Sequence, residues 1–535
     1  MHRSDRRTRG TRNGPGRRIT GWTAAALAAA TAFAVGLSPA PQAAAYTDPG
    51  AARTVAVEHY LDAVRTDPAR LHAFLDALPK GGDLHNHLSG AVPTADLIAL
   101  AAQEGLCIDR TTSVASPEPC TEAQRPAADA EKDQAFREQV VRAWSMQGFD
   151  GQGGESGHDH FFATFGKFGA VTHQHYGRLL AAVANEAARQ HEYVLETMLS
   201  WRGPQIAEHA RKVGWNPDPA AERSALMAGG AIDRLVAAAR SDTDAALAEY
   251  RDTLHCGTAQ AQPGCRVELR LTFQVGRNDP PEAVFAEMLV GFLLASQDQR
   301  FAAVNLVQAE DGPVALRDYG LQMRMVRHLR AWYPRAHVTL HAGELTPALV
   351  PRKDLRFHMR DAVLVAGAER VGHGVDAAWE DDPAGLRRLL RERHVPVEIN
   401  LTSNCQILQV CGVGHPLGDY LRAGVPVVLS TDDPGVEGTD LDTEYYRATW
   451  EQQLSYRQLR TLARAALDHA FLPGVSLWRG RDDYRPSAAC AHDLLGSAHP
   501  SGSCRVLLRG SRRASLEWQQ EADLLAFEQH HVVAL

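Results

Sequence analysis

Eight short runs that are apolar or alternate apolar with polar, rich in Val, Ile, Leu and Thr, recur along the chain at 83–88, 193–198, 267–273, 302–307, 338–341, 370–373, 395–400 and 425–431. Runs of this length predict buried strands. Between most of them the apolar positions change period: over 281–297, 314–332, 355–366 and 384–393 they recur every three or four residues, which predicts helices with one buried face. Strand and helix alternating eight times predict an α/β chain folded as a parallel (β/α)8 TIM barrel. Two connections, 89–192 and 199–266, are longer than one crossover helix needs, and both contain Gly/Pro-rich stretches, at 148–157 and 204–219. They are expected to be insertions after strands one and two of a single domain over 46–535, serving as a lid or as homodimer-forming elements. An extension at 478–509 and a last helix over 514–529 close the chain.

The first 45 residues follow another pattern. Seven Arg and one Asp fall in residues 1–20, an uncharged Ala-rich run of 17 residues follows to Leu37, and then come Pro39, Pro41 and Ala43-Ala44-Ala45. This order predicts a cleaved secretory signal over 1–45, and the run is short and weakly apolar for a stable membrane anchor. Arg17-Arg18 admits a twin-Arg export route beside the general one. The eight Cys fall as near neighbours, Cys107/Cys120, Cys256/Cys265, Cys405/Cys411 and Cys490/Cys504. An even count behind an export signal predicts four local disulfides in a secreted protein, buried free thiols being the alternative. With 56 Lys and Arg against 64 Asp and Glu, no basic surface is expected and nucleic acid is not a partner.

The candidate chemistry gathers at strand ends. His85-Asn86-His87 closes the first strand, His341-Ala342-Gly343-Glu344 the fifth, Gly372-His373-Gly374 the sixth, and Thr431-Asp432-Asp433-Pro434 the eighth. In a barrel the C-terminal strand ends share one face, so these residues can meet. One His-x-His among 24 His says little, and two more occur at His158/His160 and His173/His175. Position distinguishes the first: residues i and i+2 of a strand face the same side. His85 and His87, with His341 and Asp432, give three imidazoles and a carboxylate, a set suited to one Zn2+ per chain, which lowers the pKa of water to about 7. His373 can hold or deprotonate that water, Glu344 can deliver a proton, and Asp433 is free to hydrogen-bond a heterocycle unless it only forms the turn before Pro434. His158 and His160 precede an aromatic run, 161–168, and are read as lid residues.

The strings PKGGDLHNHLSGAV (79–92), HAGE (341–344), RVGHGV (370–375), VEINLTSN (397–404) and STDDPGV (430–436) resemble the adenosine deaminase family of the amidohydrolase superfamily, especially its secreted, growth-factor-related branch. The resemblance implies a (β/α)8 fold with one Zn2+ on His85, His87, His341 and Asp432. It implies a purine nucleoside as the small-molecule partner, adenosine or 2′-deoxyadenosine being hydrolysed to the inosine product. Glu344 would protonate purine N1, His373 would orient and activate the water, and Asp433 would contact N7. Ser89, Gly90 and Gln308 complete the expected substrate contacts, two of them with a change. Ser89 stands where the shorter intracellular branch has a ribose-binding Asp, and Gln308 where the family usually offers Gly. With Ser89 in that place the 5′-hydroxyl is expected to meet at best a neutral partner and 5′-deoxyadenosine to be deaminated within about tenfold of adenosine, unless Glu310, Asp311 or Asp159 supplies another carboxylate. Rival readings are another secreted mononuclear metallo-amidohydrolase and a chiefly adenosine-binding, growth-factor-like protein. No Lys at a predicted strand end could bridge two metals, and retention of Glu344 and of every ligand favours catalysis.

Overall fold

All eight runs form strands: β1 Gly81–His87, β2 Glu192–Leu199, β3 Glu268–Gly276, β4 Phe301–Val307, β5 His337–Ala342, β6 Arg370–His373, β7 Val397–Ile399 and β8 Val427–Leu429. The computed structural model describes residues 50–533 except Gln152 and Gln174, so the expected signal over 1–45 lies outside the described residues. The strands lie parallel and pair in chain order from β1 to β8. The ring closes just past β8, where Asp432 N donates to His85 O at 2.8 Å and His87 N donates to Asp432 O at 2.9 Å. Every residue of β1, β2 and β4 is buried, as parallel strands packed inside the ring and covered by helices outside require.

Element ends differ from the sequence expectation where they bear on the site. Strand β3 runs on to Gly276 and brings Gln274 to the rim. Strands β7 and β8 have three residues each, since the chain turns inward beyond them; Asp432 has φ +65. The expected helix over 355–366 is present from 358 on, α-helical over 358–361 and continuing as a π-helical turn over 362–366, while 352–355 is a separate 3-10 turn, because Phe357, at φ −154 and ψ −6, breaks the helical path between them.

The stretch 89–192 contains a three-stranded antiparallel sheet (107–109, 115–116 and 124–126), too short to leave a periodic signal, and the helix α1 Gly157–Thr172. The stretch 199–266 is helical as far as α2 Ala231–Thr253, after which turns and a 3-10 helix at 263–266 lead into β3. After β3 comes α3 Pro281–Gln297, with Pro at its first position, where the missing N–H costs nothing. Among the described residues no helix is long and apolar enough to cross a membrane.

All four expected disulfides are present, Cys107–Cys120, Cys256–Cys265, Cys405–Cys411 and Cys490–Cys504. Mass analysis of the unreduced protein is expected to find eight hydrogens fewer than the reduced chain; four or more free thiols would contradict it.

Below the rim, the barrel interior holds a buried charge network. Arg370 spans Glu398 Oε1 at 2.5 Å and Glu196 Oε2 at 2.7 Å, with its guanidinium 3.9 Å from the centre of the Phe471 ring. Burial pushes the Glu398 carboxyl up, but Arg370 and His85 outweigh it and hold the group down to about 2. Arg370→Met would strand two buried carboxylates and is expected to cost about 3–5 kcal/mol in denaturant unfolding. A loss below 1 kcal/mol would contradict the network's structural role.

Candidate metal centre and active site

Four ligand atoms meet at the mouth of the ring. His85 Nε2 lies 3.0 Å from His341 Nε2 and 3.4 Å from Asp432 Oδ1, while His87 Nε2 lies 3.2 Å from each of the same two atoms. The far side of each imidazole faces an oxygen: His85 Nδ1 meets Glu398 Oε2 at 2.6 Å, His87 Nδ1 meets Gln274 Oε1 at 3.3 Å, and His341 Nδ1 meets Asn305 Oδ1 at 3.0 Å. Each Nδ1 therefore carries its proton and donates, which leaves three bare Nε2 lone pairs pointing at one another. Ser403 Oγ donates to Asp432 Oδ2 at 2.8 Å, turning Oδ1 to the same point. Lone pairs and a carboxylate this close repel unless a cation lies among them, so these side chains could hold a divalent ion; His373 groups with His85, His341 and Asp432 within reach of one point, and His87 with Asp432 and Asp433.

His373 stands one step back, its Nε2 3.8 Å from Asp432 Oδ2 and without a hydrogen-bond partner. Asn404 Nδ2 donates to its Nδ1 at 2.9 Å, so the proton sits on Nε2. Burial and the nearby His85 lower its pKa to about 4, against the pull of Asp432, and the ring is neutral at pH 7. Gly372 must be bare here, since a Cβ would lie 2.6 Å from His85 Cε1. His373, Asp432 and Gln308 all adopt left-handed φ, of +67, +65 and +76. Such strain costs about 1–3 kcal/mol per residue and is characteristic of functional sites.

A cavity of about 480 Å³ opens onto this cluster. His87, His341, Glu344, Asp432 and Asp433 form its floor, and Phe161, Phe162 and Phe165 of α1 its cover. Burial, with the charges of Asp432 and Glu310, pushes the Glu344 carboxyl well above the ordinary range. Asp433 is pushed up to about 7 by burial and by Asp432, against the pull of His87, and its Oδ1 has no partner. Gly90 gives that carboxylate its room, for a Cβ there would stand 1.7 Å from Asp433 Oδ1.

Ser89 and Gln308 line the same cavity. Gln308 Oε1 accepts from the Asn278 N–H at 2.9 Å. The carboxylates named as alternatives to the missing Asp are otherwise engaged. Glu310 is buried against His358 Nδ1 at 2.6 Å and accepts the N–H groups of Gly343 and Glu344, while Asp311 and Asp159 both pair with His158. Neither lid histidine lines the cavity: His158 bonds Asp311, and His160 Nε2 is bound to the Arg142 and Ser145 carbonyls. Sequence reasoning assigned no role to Glu398, Asn305, Gln274 and Ser403, which fix the ligands, nor to Asp279 and Glu287 on the wall. A polar residue inside an otherwise apolar strand was the available signal for Glu398 and Asn305.

The adenosine deaminase family model matches residues 234–476. Adenosine deaminase of Serratia proteamaculans is 39% identical over 149 residues, covering 28% of this chain and 42% of that one. That of Klebsiella pneumoniae is 41% identical over 137 residues, covering 25% and 38%. The chain thus spans about two fifths of the length of these curated relatives. Among solved structures, arabidopsis ADAL complexed with GMP shares the fold, with a TM-score of 0.50 and 20% identity over 75% of this chain and 94% of that one. The family match takes in β3 to β8 and five of the seven clustered residues, His341, Glu344, His373, Asp432 and Asp433, while His85 and His87 join them from outside it through the closing of the ring. Over residues 234–476, this chain is similar to the adenosine deaminase family.

Proposed function

We propose that the chain is a secreted, zinc-dependent adenosine deaminase, converting adenosine or 2′-deoxyadenosine and water to the inosine product and ammonia. The observation that carries this reading is the convergence of the His85, His87 and His341 Nε2 atoms and Asp432 Oδ1, spaced 3.0–3.4 Å, on the floor of a cavity that also holds Glu344 and Asp433. Ligands about 2.0–2.1 Å from a tetrahedral Zn2+ stand about 3.3 Å apart, so the donor set fits that ion. When bound, it supplies a Lewis acid and a water of lowered pKa.

The chain's own residues do the rest. The protonated Glu344 carboxyl delivers its proton to purine N1 and makes C6 open to attack. The His373 Nε2–H donates to the attacking oxygen and orients it. Asp433, partly protonated near neutrality, can donate to N7, whose lone pair only accepts. Of the two protons that water brings, one ends on N1 by way of Glu344 and the other leaves with the amino group as ammonia. Phe161, Phe162 and Phe165 of α1 give the cavity an apolar wall. Export is supported by the four disulfides, which persist in oxidising compartments.

The test is direct. The zinc-loaded protein is incubated with adenosine, 2′-deoxyadenosine and adenine while the ultraviolet shift on loss of the amino group is followed. One ammonia per nucleoside consumed is expected; no shift with any of the three would overturn the reading.

A further inference from the structure

Among the described residues, five carboxylates line the cavity, and neither Lys nor Arg does. Glu344, Asp432 and Asp433 belong to the reacting end. Asp279 and Glu287 have no part in that chemistry, yet the wall is shaped around them. The Gly276 N–H donates to Glu287 Oε2 at 3.2 Å. A Cβ at residue 276 would stand 2.7 Å from Asp279 Oδ2 and 2.9 Å from Gln308 Nε2. Gly276 is bare so that two carboxylates and an amide can converge on one spot.

The order of strands says which part of a substrate reaches that spot. Around the rim, Glu344 follows β5, Gln308 follows β4, and Gly276 with Asp279 ends and follows β3. A purine carries C6 and the sugar-bearing N9 on opposite sides of its ring system. With C6 over the ligand cluster and N1 at Glu344, the edge from N1 through N3 to N9 runs past Gln308 toward Gly276. The sugar then lies against Asp279 and Glu287. Hydroxyls donate and carboxylates accept, whereas a phosphate meets like charge in a partly desolvated cavity.

We propose that Asp279 and Glu287 are the sugar-selecting residues of this cavity, accepting hydroxyls from a nucleoside and turning away a 5′-phosphate. The inference rests on the nucleoside deaminase reading above and names two residues that take over from the carboxylate missing at Ser89.

The test compares wild type, D279N, E287Q and the double variant, all zinc-loaded, in two ways. The first is kcat/KM on adenosine and on AMP. The second is equilibrium dialysis with purine riboside and its 5′-monophosphate, which have no amino group to lose. Wild type is expected to favour adenosine over AMP by at least about 100-fold, and the double variant to narrow that ratio by at least about tenfold, with the same narrowing in the Kd ratio. A merely structural role would weaken both ligands alike and leave the ratios in place. Ratios unchanged within about twofold, or a wild type that prefers AMP, would overturn the proposal. Asp279 is exposed, so D279N alone carries the test if E287Q fails to fold. If wild type deaminates nothing but its Kd ratio still collapses in the variants, the deaminase reading fails while the selecting wall stands. Turnover of adenosine with unchanged ratios means the reverse: the wall selects nothing and the deaminase reading stands.

Discussion

Replacing His85, His87, His341 or Asp432 by Ala is expected to remove bound zinc and to lower kcat/KM for adenosine by at least about 10³, the two losses appearing together. A Lewis acid at the reacting carbon is worth several kcal/mol, and each 1.36 kcal/mol is tenfold in rate. His373→Ala provides the contrast. Its Nε2 is 3.8 Å from Asp432 Oδ2, outside the tight set, and a variant lacking it should keep the ion while losing turnover. Metal content by atomic emission beside steady-state kinetics decides the matter. Full activity in a metal-free preparation would remove the proposed mechanism, and loss of zinc from His373→Ala would redraw the ligand set.

The second large effect belongs to Glu344. Glu344→Gln keeps size and hydrogen-bonding reach but has no acidic proton, so kcat is expected to fall by about 10²–10⁴ with KM changed far less. The N–H of Glu344 and that of Gly343 are both held by Glu310, at 2.8 and 3.1 Å, and neither contact depends on the Glu344 side chain. The variant should therefore fold and bind zinc as wild type does. More than half of wild-type turnover in E344Q would take Glu344 out of its role.

Much of this was legible in the residue order, for identifiable reasons. Strands buried on both faces are largely apolar, so the runs stood out, and the polar residues gathered at their ends marked His85, His341, His373 and Asp432. The small sheet at 107–126 was not legible, because strands of two or three residues carry no period. The partners of the ligands were hidden differently. Asn305 sits among apolar neighbours in β4, and only the barrel's curvature brings its Oδ1 within 3.0 Å of His341 Nδ1. The carboxylates at the sugar end escaped notice because β3 was expected to stop at 273 and runs to 276, which moves everything after it onto the rim. Asp311 and Asp159 looked available in sequence, but each is bound to His158.

The ring closes where Asp432 pairs with the backbone of His85 and His87, and those three residues also supply ligand atoms. A chain emerging from a ribosome has made both histidines hundreds of residues before Asp432 exists. On the zinc reading, the four-residue ligand set is complete only once the last strand has docked against the first. On that reading the ion is a fastener as well as a reagent. At a free concentration 100 times its Kd it would add about 2.7 kcal/mol to the closed form. The backbone amides of His87 and Asp432 are then the places where hydrogen exchange should slow most when metal is added, and where an apo chain should first come undone.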